Sequence, residues 1–149
     1  MNPWSFIASG FGSGLSPKAP GTFGSLVGLV IGCLLLEVGG HGALIFGIVL
    51  ATVIGVYAIR QLPEANQDPG WIVIDEIAGQ MLPLLAIATV AFWQVLLAFL
   101  LFRFFDILKP GPVAWADQRK DEYGIMGDDL IAGGLALLVM LVLRRLVHL

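Results

Sequence analysis

Long apolar runs, broken only by short polar segments, constrain this chain more than any other feature. Five runs, at residues 22–38, 42–59, 71–89, 91–108 and 129–147, each approach the roughly 20 residues that cross a bilayer as an α-helix. Of the 149 residues, 58% are hydrophobic and 13% are charged, whereas soluble domains are about 45–50% apolar and about 25% charged. We therefore expect an all-α fold, a polytopic helical membrane bundle.

The number of membrane helices depends on the apolar stretch before Lys109. As one helix, residues 71–109 would be nearly twice as long as the ~30 Å hydrocarbon layer is thick. Two spans joined by a tight hairpin around residues 90–93 fit better. Residues 2–16 are apolar but short, which is typical of an interfacial or re-entrant helix. The prediction is a single membrane-embedded domain over residues 1–149, with about five membrane helices and this short N-terminal helix.

Acidic residues stand at the edges of three of these runs. They are Asp75, Glu76, Asp106, Asp128 and Asp129. Carboxylates at membrane depth are disfavoured by several kcal/mol unless they are paired, hydrated or bound to a cation. Alternating spans bring all five to one membrane face, because two begin the third span, one ends the fourth and two begin the fifth. The sequence therefore predicts a metal site at that face.

The basic residues indicate which face this is. If five spans cross the membrane in alternating directions, only two of the eight basic residues, Arg144 and Arg145, lie on the side away from the acids. The other six basic residues lie on the acidic side and are Lys18, Arg60, Arg103, Lys109, Arg119 and Lys120. By the positive-inside rule, the acidic side is cytoplasmic.

A short internal repeat predicts one helix contact. Residues 75–79 and 129–133 each begin with Asp and end with Ile-Ala-Gly, so the acid and the glycine share a helix face. Small residues on that face let two membrane helices approach closely. We expect the third and fifth helices to touch there. Gly24, Gly28 and Gly32 form a comparable stripe on the first span, for which helix packing is the simpler interpretation.

A loop rich in glycine, proline and serine precedes the first span. It covers residues 10–21, and Thr22 is the residue expected to cap the helix that follows. A glycine-rich approach to a helix N-terminus exposes backbone N–H groups and the positive end of the helix dipole, which suits a phosphate. The loop lacks the spacing of a nucleotide-binding P-loop.

Four segments together resemble the phosphatidylglycerophosphatase A family. They are GSGLSP with APGTFGS at residues 12–25, IDEIAGQ at 74–80, FRFFDILKP at 102–110 and GIMGDDLIAG at 124–133. The resemblance covers nearly the whole chain. It implies a hydrolase of the bacterial inner membrane that uses magnesium and removes the terminal phosphate of phosphatidylglycerophosphate to give phosphatidylglycerol, with its active site facing the cytoplasm.

The residues are compatible with that activity. Mg²⁺ prefers oxygen ligands and keeps several waters, so carboxylates and a substrate phosphate oxygen would complete its shell. The expected catalytic ligands are Asp75, Glu76, Asp106 and Asp129. Asp128 is a fifth ligand, an outer hydrogen-bond acceptor or the helix cap. The sequence leaves open whether the site holds one ion or two. It also leaves open whether a metal-activated water or an aspartate attacks the phosphorus.

Four residues on the acidic side are candidates to bind phosphate oxygens. They are Lys18, Thr22, Arg103 and Lys109. Each basic residue also has a simpler interpretation. Arg103 stands three residues before Asp106 and could neutralise it as an ion pair. Lys109 could snorkel at the membrane edge, and Lys18 could meet anionic lipid headgroups.

Other function classes fit the sequence less well. A cation- or proton-coupled transporter would also place acids in membrane helices. Such a pathway needs polar residues across the whole bilayer, and the halves of these spans away from the acids contain few of them. A scaffold held by small-residue faces has no need of clustered acids. We expect the phospholipid substrate and the bilayer as partners and no nucleic acid, and the sequence leaves the oligomeric state open.

Overall fold

The computed structural model describes residues 1–147, and every regular element in that range is helical. There are six α-helices: α1 (Pro3–Ala8), α2 (Pro20–Arg60), α3 (Ile74–Met81), α4 (Phe92–Leu108), α5 (Gly111–Asp117) and α6 (Glu122–Val147). Three short 3₁₀ helices cover Ser13–Leu15, Ala65–Gln67 and Leu82–Ala86. The all-α class is confirmed, and α1 with the first 3₁₀ turn is the short N-terminal helical segment expected from the sequence.

Helix α2 is a hairpin of two helices joined at Gly40. Gly40 has φ 68° and ψ −162°, a conformation that only glycine adopts readily. A Cβ atom added at Gly47 would overlap the side chain of Leu35, and one at Gly32 would contact Leu44. These pairs flank Gly40, so the two halves pack against each other. The break lies in the glycine-rich segment between the first two predicted spans.

The third predicted span is interrupted. Residues 71–89 do not form one membrane-length α-helix, because α3 has only 8 residues and a 3₁₀ helix of 5 residues follows it. Together these two elements rise about 22 Å, less than the ~30 Å hydrocarbon layer. Pro83 explains the change, since it lacks an N–H group and its ring clashes with the preceding turn. The chain is extended or bent from Ile87 to Ala91, so the predicted break before α4 is present.

The last helix begins earlier than predicted. Helix α6 starts at Glu122 rather than at residue 129, because the Asp121 side chain accepts a hydrogen bond from the Gly124 N–H at 2.9 Å and so caps the first turn. Asp128 therefore lies in the second turn, and its suggested role as helix cap is wrong. Among residues 1–147, two helices could cross a bilayer by length and composition, α2 and α6.

Close packing of small residues places α3 at the centre of the bundle. Gly28 of α2 lies against the backbone of Ile77. On the other side of α3, a Cβ atom at Gly79 would overlap the Asp129 carbonyl, and one at Gly133 would overlap the Gly79 carbonyl. The predicted contact between the third and fifth segments is confirmed, and so is the packing role of the α2 glycines.

The polarity of the bundle is inverted relative to a soluble protein. Large apolar side chains are exposed along the outer faces of the helices, for example Val53 at 62% and Leu100 at 54%. Four aspartates and Gln80 are buried instead. At the end of the bundle away from the acids, the His41 ring contacts the Ile87 carbonyl at 2.9 Å. An apolar exterior around buried carboxylates is what a lipid environment favours.

Candidate active site

Three aspartates from two helices meet in the interior. Asp75 belongs to the first turn of α3, and Asp128 and Asp129 belong to the second turn of α6. Each offers a carboxylate oxygen, and these oxygens lie within 4.8 Å of one another. The residues are 7%, 6% and 2% exposed, respectively. We call Asp75, Asp128 and Asp129 the aspartate triad.

The helix contact explains why the triad is compact. Gly79 lies four residues after Asp75, and Gly133 four residues after Asp129, so each glycine is one turn from its acid on the same face. Because the two glycines bring the helix backbones into contact, the carboxylates one turn away are drawn together as well.

The triad has the donor set of a cation site. One buried oxygen of each triad aspartate, and one of Glu76, has no hydrogen-bond partner among residues 1–147. A buried carboxylate oxygen without a partner is strongly unfavourable, and so are like charges this close together. Carboxylate oxygens are hard ligands that suit a divalent cation such as Mg²⁺. The residues therefore fit a metal ion.

Glu76 and Asp106 lie at the same end of the bundle but outside the triad. A Cβ atom at Gly21 would come within 2.8 Å of the Glu76 carboxylate and 3.3 Å of the Arg103 guanidinium. Glu76 thus faces the N-terminus of α2. Asp106 accepts a hydrogen bond from Arg103 at 2.5 Å. Of the five predicted ligands, three are within reach of one ion.

Lys109 links the triad to two other elements. Its Nζ atom lies 3.2 Å from Asp128, 3.5 Å from Asp117 and 4.0 Å from Asp106. Burial alone would lower the pKa of Lys109, but these carboxylates outweigh it and raise the pKa above its ordinary value. Lys109 therefore remains protonated throughout the physiological pH range. The ion pair of Arg103 with Asp106 is the one that the simpler interpretation allowed.

The other two phosphate-binding candidates lie near the start of α2. Lys18 is exposed and makes no ion pair with residues 1–147. Thr22 is in the first turn and is not the cap, because Pro20 takes the first helical position and Ala19 precedes it with φ 48°. Proline favours that position because its φ angle is fixed near the helical value.

Helix α5 and its Asp117 were missed by the sequence analysis. Asp117 contacts Lys109 and also Lys120, at 3.7 Å. Burial alone would raise the pKa of Asp117, but the two lysines lower it below its usual value. The sequence did carry a signal, since Pro112 follows Gly111 at a position where proline often begins a helix.

Comparison with known proteins identifies similar chains. The family model described as Phosphatidylglycerophosphatase A matches residues 6–144. A Haemophilus influenzae protein named Phosphatidylglycerophosphatase A is 39% identical over 147 residues, covering 97% of this chain and 90% of that protein. An Escherichia coli K12 protein of the same name is 39% identical over 137 residues, covering 89% and 78%. A Bacteroides thetaiotaomicron protein named "Putative phosphatidylinositol-3-phosphatase" is 39% identical over 145 residues, covering 93% and 91%. No solved structure matches the chain.

Proposed function

Because this chain belongs to the phosphatidylglycerophosphatase A family, we propose that it hydrolyses phosphatidylglycerophosphate to phosphatidylglycerol and inorganic phosphate. It is a lipid phosphatase of phosphatidylglycerol synthesis. Family membership also favours this activity over the alternative of a cation- or proton-coupled transporter. The reaction cleaves a phosphomonoester with water and leaves the phosphodiester of the lipid intact.

The observation that carries the proposal is the aspartate triad. Three buried carboxylates within 4.8 Å of one another, each with an oxygen that has no partner, form a strong site for a hard divalent cation. When bound, Mg²⁺ would polarise the phosphate ester and lower the pKa of a coordinated water. Asp75, Asp128 and Asp129 are its proposed ligands, and Glu76 and Asp106 complete the acidic wall of the site.

Several side chains would serve the reaction directly. Glu76 has a buried oxygen without a hydrogen-bond partner and lies beside the triad, so it is the proposed acceptor of the proton from the attacking water. Arg103 and Lys109 would hold phosphate oxygens by exchanging their present carboxylate partners for the substrate. Lys18, the Thr22 hydroxyl and the N-terminus of α2 would form the outer rim of the phosphate site.

We further propose five passes through a bacterial inner membrane. The two halves of α2, the interrupted α3 segment, α4 and α6 would each cross it, within a single domain over residues 1–149. The acidic end would face the cytoplasm, since six of the eight basic residues lie at that end. The break after α3 is acceptable at membrane depth only where protein surrounds it, and Pro83 and Leu84 are buried.

The proposal is tested by phosphate release from purified protein in detergent micelles. The lipids compared are phosphatidylglycerophosphate, phosphatidic acid and phosphatidylinositol 3-phosphate, each with Mg²⁺ and with excess chelator. We expect release that requires Mg²⁺ and is fastest with phosphatidylglycerophosphate. Faster release from phosphatidylinositol 3-phosphate would show that this lipid is the preferred substrate instead. No release from any lipid by folded protein would refute the proposed function.

A further inference from the structure

A cavity is lined by residues next to Asp117 and Asp128. It lies between α5 and α6 and has a volume of about 360 Å³. Its polar wall includes Gln118, Arg119 and Tyr123, and its apolar wall includes Trp115 and Ile131. A cavity with one basic wall and one apolar wall suits the part of a phospholipid where a phosphate meets the glycerol and acyl chains.

Arg119 is held at this cavity by its neighbours. Its Nε atom donates to both oxygens of Asp121, at 2.8 and 2.7 Å. Its guanidinium carbon lies 5.5 Å from the centre of the Tyr123 ring. The two terminal amino groups of Arg119 make no hydrogen bond with residues 1–147. A guanidinium with two such donors matches the geometry of a phosphate.

The cavity and the triad are neighbours along the chain. Ala116 lines the cavity directly before Asp117, and Gly127 lines it directly before Asp128. Asp117 and Asp128 both contact Lys109. The cavity wall therefore lies within one residue of Asp117 and of Asp128, which is a member of the triad.

We infer that Arg119 binds the phosphodiester of the substrate while the triad receives its terminal phosphomonoester. The inference rests on the proposed function and deepens it. Phosphatidic acid carries a phosphomonoester as its only phosphate, so it cannot engage both sites. Arg119 is thus a specificity-determining residue that favours phospholipids whose headgroup adds a second phosphate beyond the phosphodiester.

The test compares Arg119→Gln and Arg119→Lys with the wild type on both lipids. The loss of one charge-assisted hydrogen bond corresponds to about a tenfold effect. We expect Arg119→Gln to raise KM for phosphatidylglycerophosphate about tenfold with little change in kcat, and to leave turnover of phosphatidic acid unchanged. Arg119→Lys should recover part of the affinity. Lys120→Gln is the matched control, because Lys120 is the adjacent basic residue and does not line the cavity.

A second measurement uses the product, which keeps the phosphodiester and lacks the phosphomonoester. Phosphatidylglycerol should inhibit the wild type competitively, and Arg119→Gln should weaken that inhibition by a similar factor. The inference would be overturned if Arg119→Gln lost the same activity on both lipids or had the same effect as Lys120→Gln. Unchanged product inhibition in Arg119→Gln would also overturn it. A wild type that is inactive on every lipid would instead refute the proposed function.

Discussion

Replacing Asp129 by asparagine should stabilise the protein when no metal is bound. Two ionised carboxylates no more than 4.8 Å apart repel each other by at least about 3.5 kcal/mol at an effective dielectric constant near 20. Asp129 faces two such neighbours, is 2% exposed and makes no ion pair with residues 1–147. Solvation and changed hydrogen bonding offset much of this repulsion, so we expect a net gain of about 1–3 kcal/mol in the free energy of unfolding.

The assay is thermal unfolding in detergent, with excess chelator and with saturating Mg²⁺. For a chain of this size, the gain corresponds to a rise of about 2–12 °C in the unfolding midpoint in chelator. Mg²⁺ should raise the midpoint of the wild type, because it binds only the folded state. It should have little effect on Asp129→Asn, since one ligand is missing. The order of the two proteins should therefore reverse on adding metal.

Two control variants make this prediction specific. The unfolding midpoint of Asp128→Asn in chelator should rise less than that of Asp129→Asn, because the substitution also removes the ion pair with Lys109 at 3.2 Å. Glu37→Gln should leave the unfolding midpoint unchanged both in chelator and in Mg²⁺. Glu37 is exposed and lies close to the Gly40 turn, at the end away from the acids. A loss of stability for Asp129→Asn in chelator, or a Mg²⁺ shift equal to that of the wild type, would refute the electrostatic argument.

Three further predictions concern packing, the hairpin and pH. Gly79→Ala places a methyl group on the backbone of α6 and should lower the unfolding midpoint and phosphate release together, by at least about 2 kcal/mol in stability; Gly134→Ala, whose Cβ meets nothing within 4 Å, should leave both unchanged. Gly40→Ala forces a side chain into the left-handed region and should cost about 1–2 kcal/mol by thermal unfolding, whereas Gly42→Ala should not destabilise. Because the pKa of Lys109 is raised, its ion pairs are fully present below its ordinary pKa of 10.5 and are lost only as pH rises through the higher folded-state value. The stability advantage of the wild type over Lys109→Met should therefore persist up to about pH 9, and its loss below about pH 9 would contradict the assignment.

The parts of the fold that the sequence predicted depend on local signals. Gly40 lies in a run of small and polar residues between two apolar segments, so a turn there follows from backbone conformation alone. The contact between Gly79 and Gly133 follows from small residues that repeat at one helical turn from an acid. The turn is set by local backbone conformation, and the helix contact is indicated because the same short pattern occurs in both segments.

The parts that could not be predicted depend on tertiary context. Pro83 is tolerated inside many membrane helices, and only the packing around α3 decides that a 3₁₀ helix follows. The start of α6 was placed too late because Asp121 caps the helix within a charged segment, where apolar periodicity gives no signal. Adjacent helical residues diverge by about 100°. Whether one or both members of an acidic pair join the triad is therefore fixed by helix rotation. Asp128 and Asp129 both belong to it, whereas Glu76 lies beside it and faces the N-terminus of α2.

The most direct test of the central claim is phosphate release from phosphatidylglycerophosphate by Asp75→Asn, measured across Mg²⁺ concentrations beside the wild type and Glu37→Gln. Circular dichroism and thermal unfolding first establish that each protein is folded. We predict a loss of at least about a hundredfold for Asp75→Asn that added Mg²⁺ does not restore, with Glu37→Gln unchanged. Wild-type turnover and an unchanged Mg²⁺ response in Asp75→Asn would contradict the assignment of the aspartate triad as the catalytic metal site.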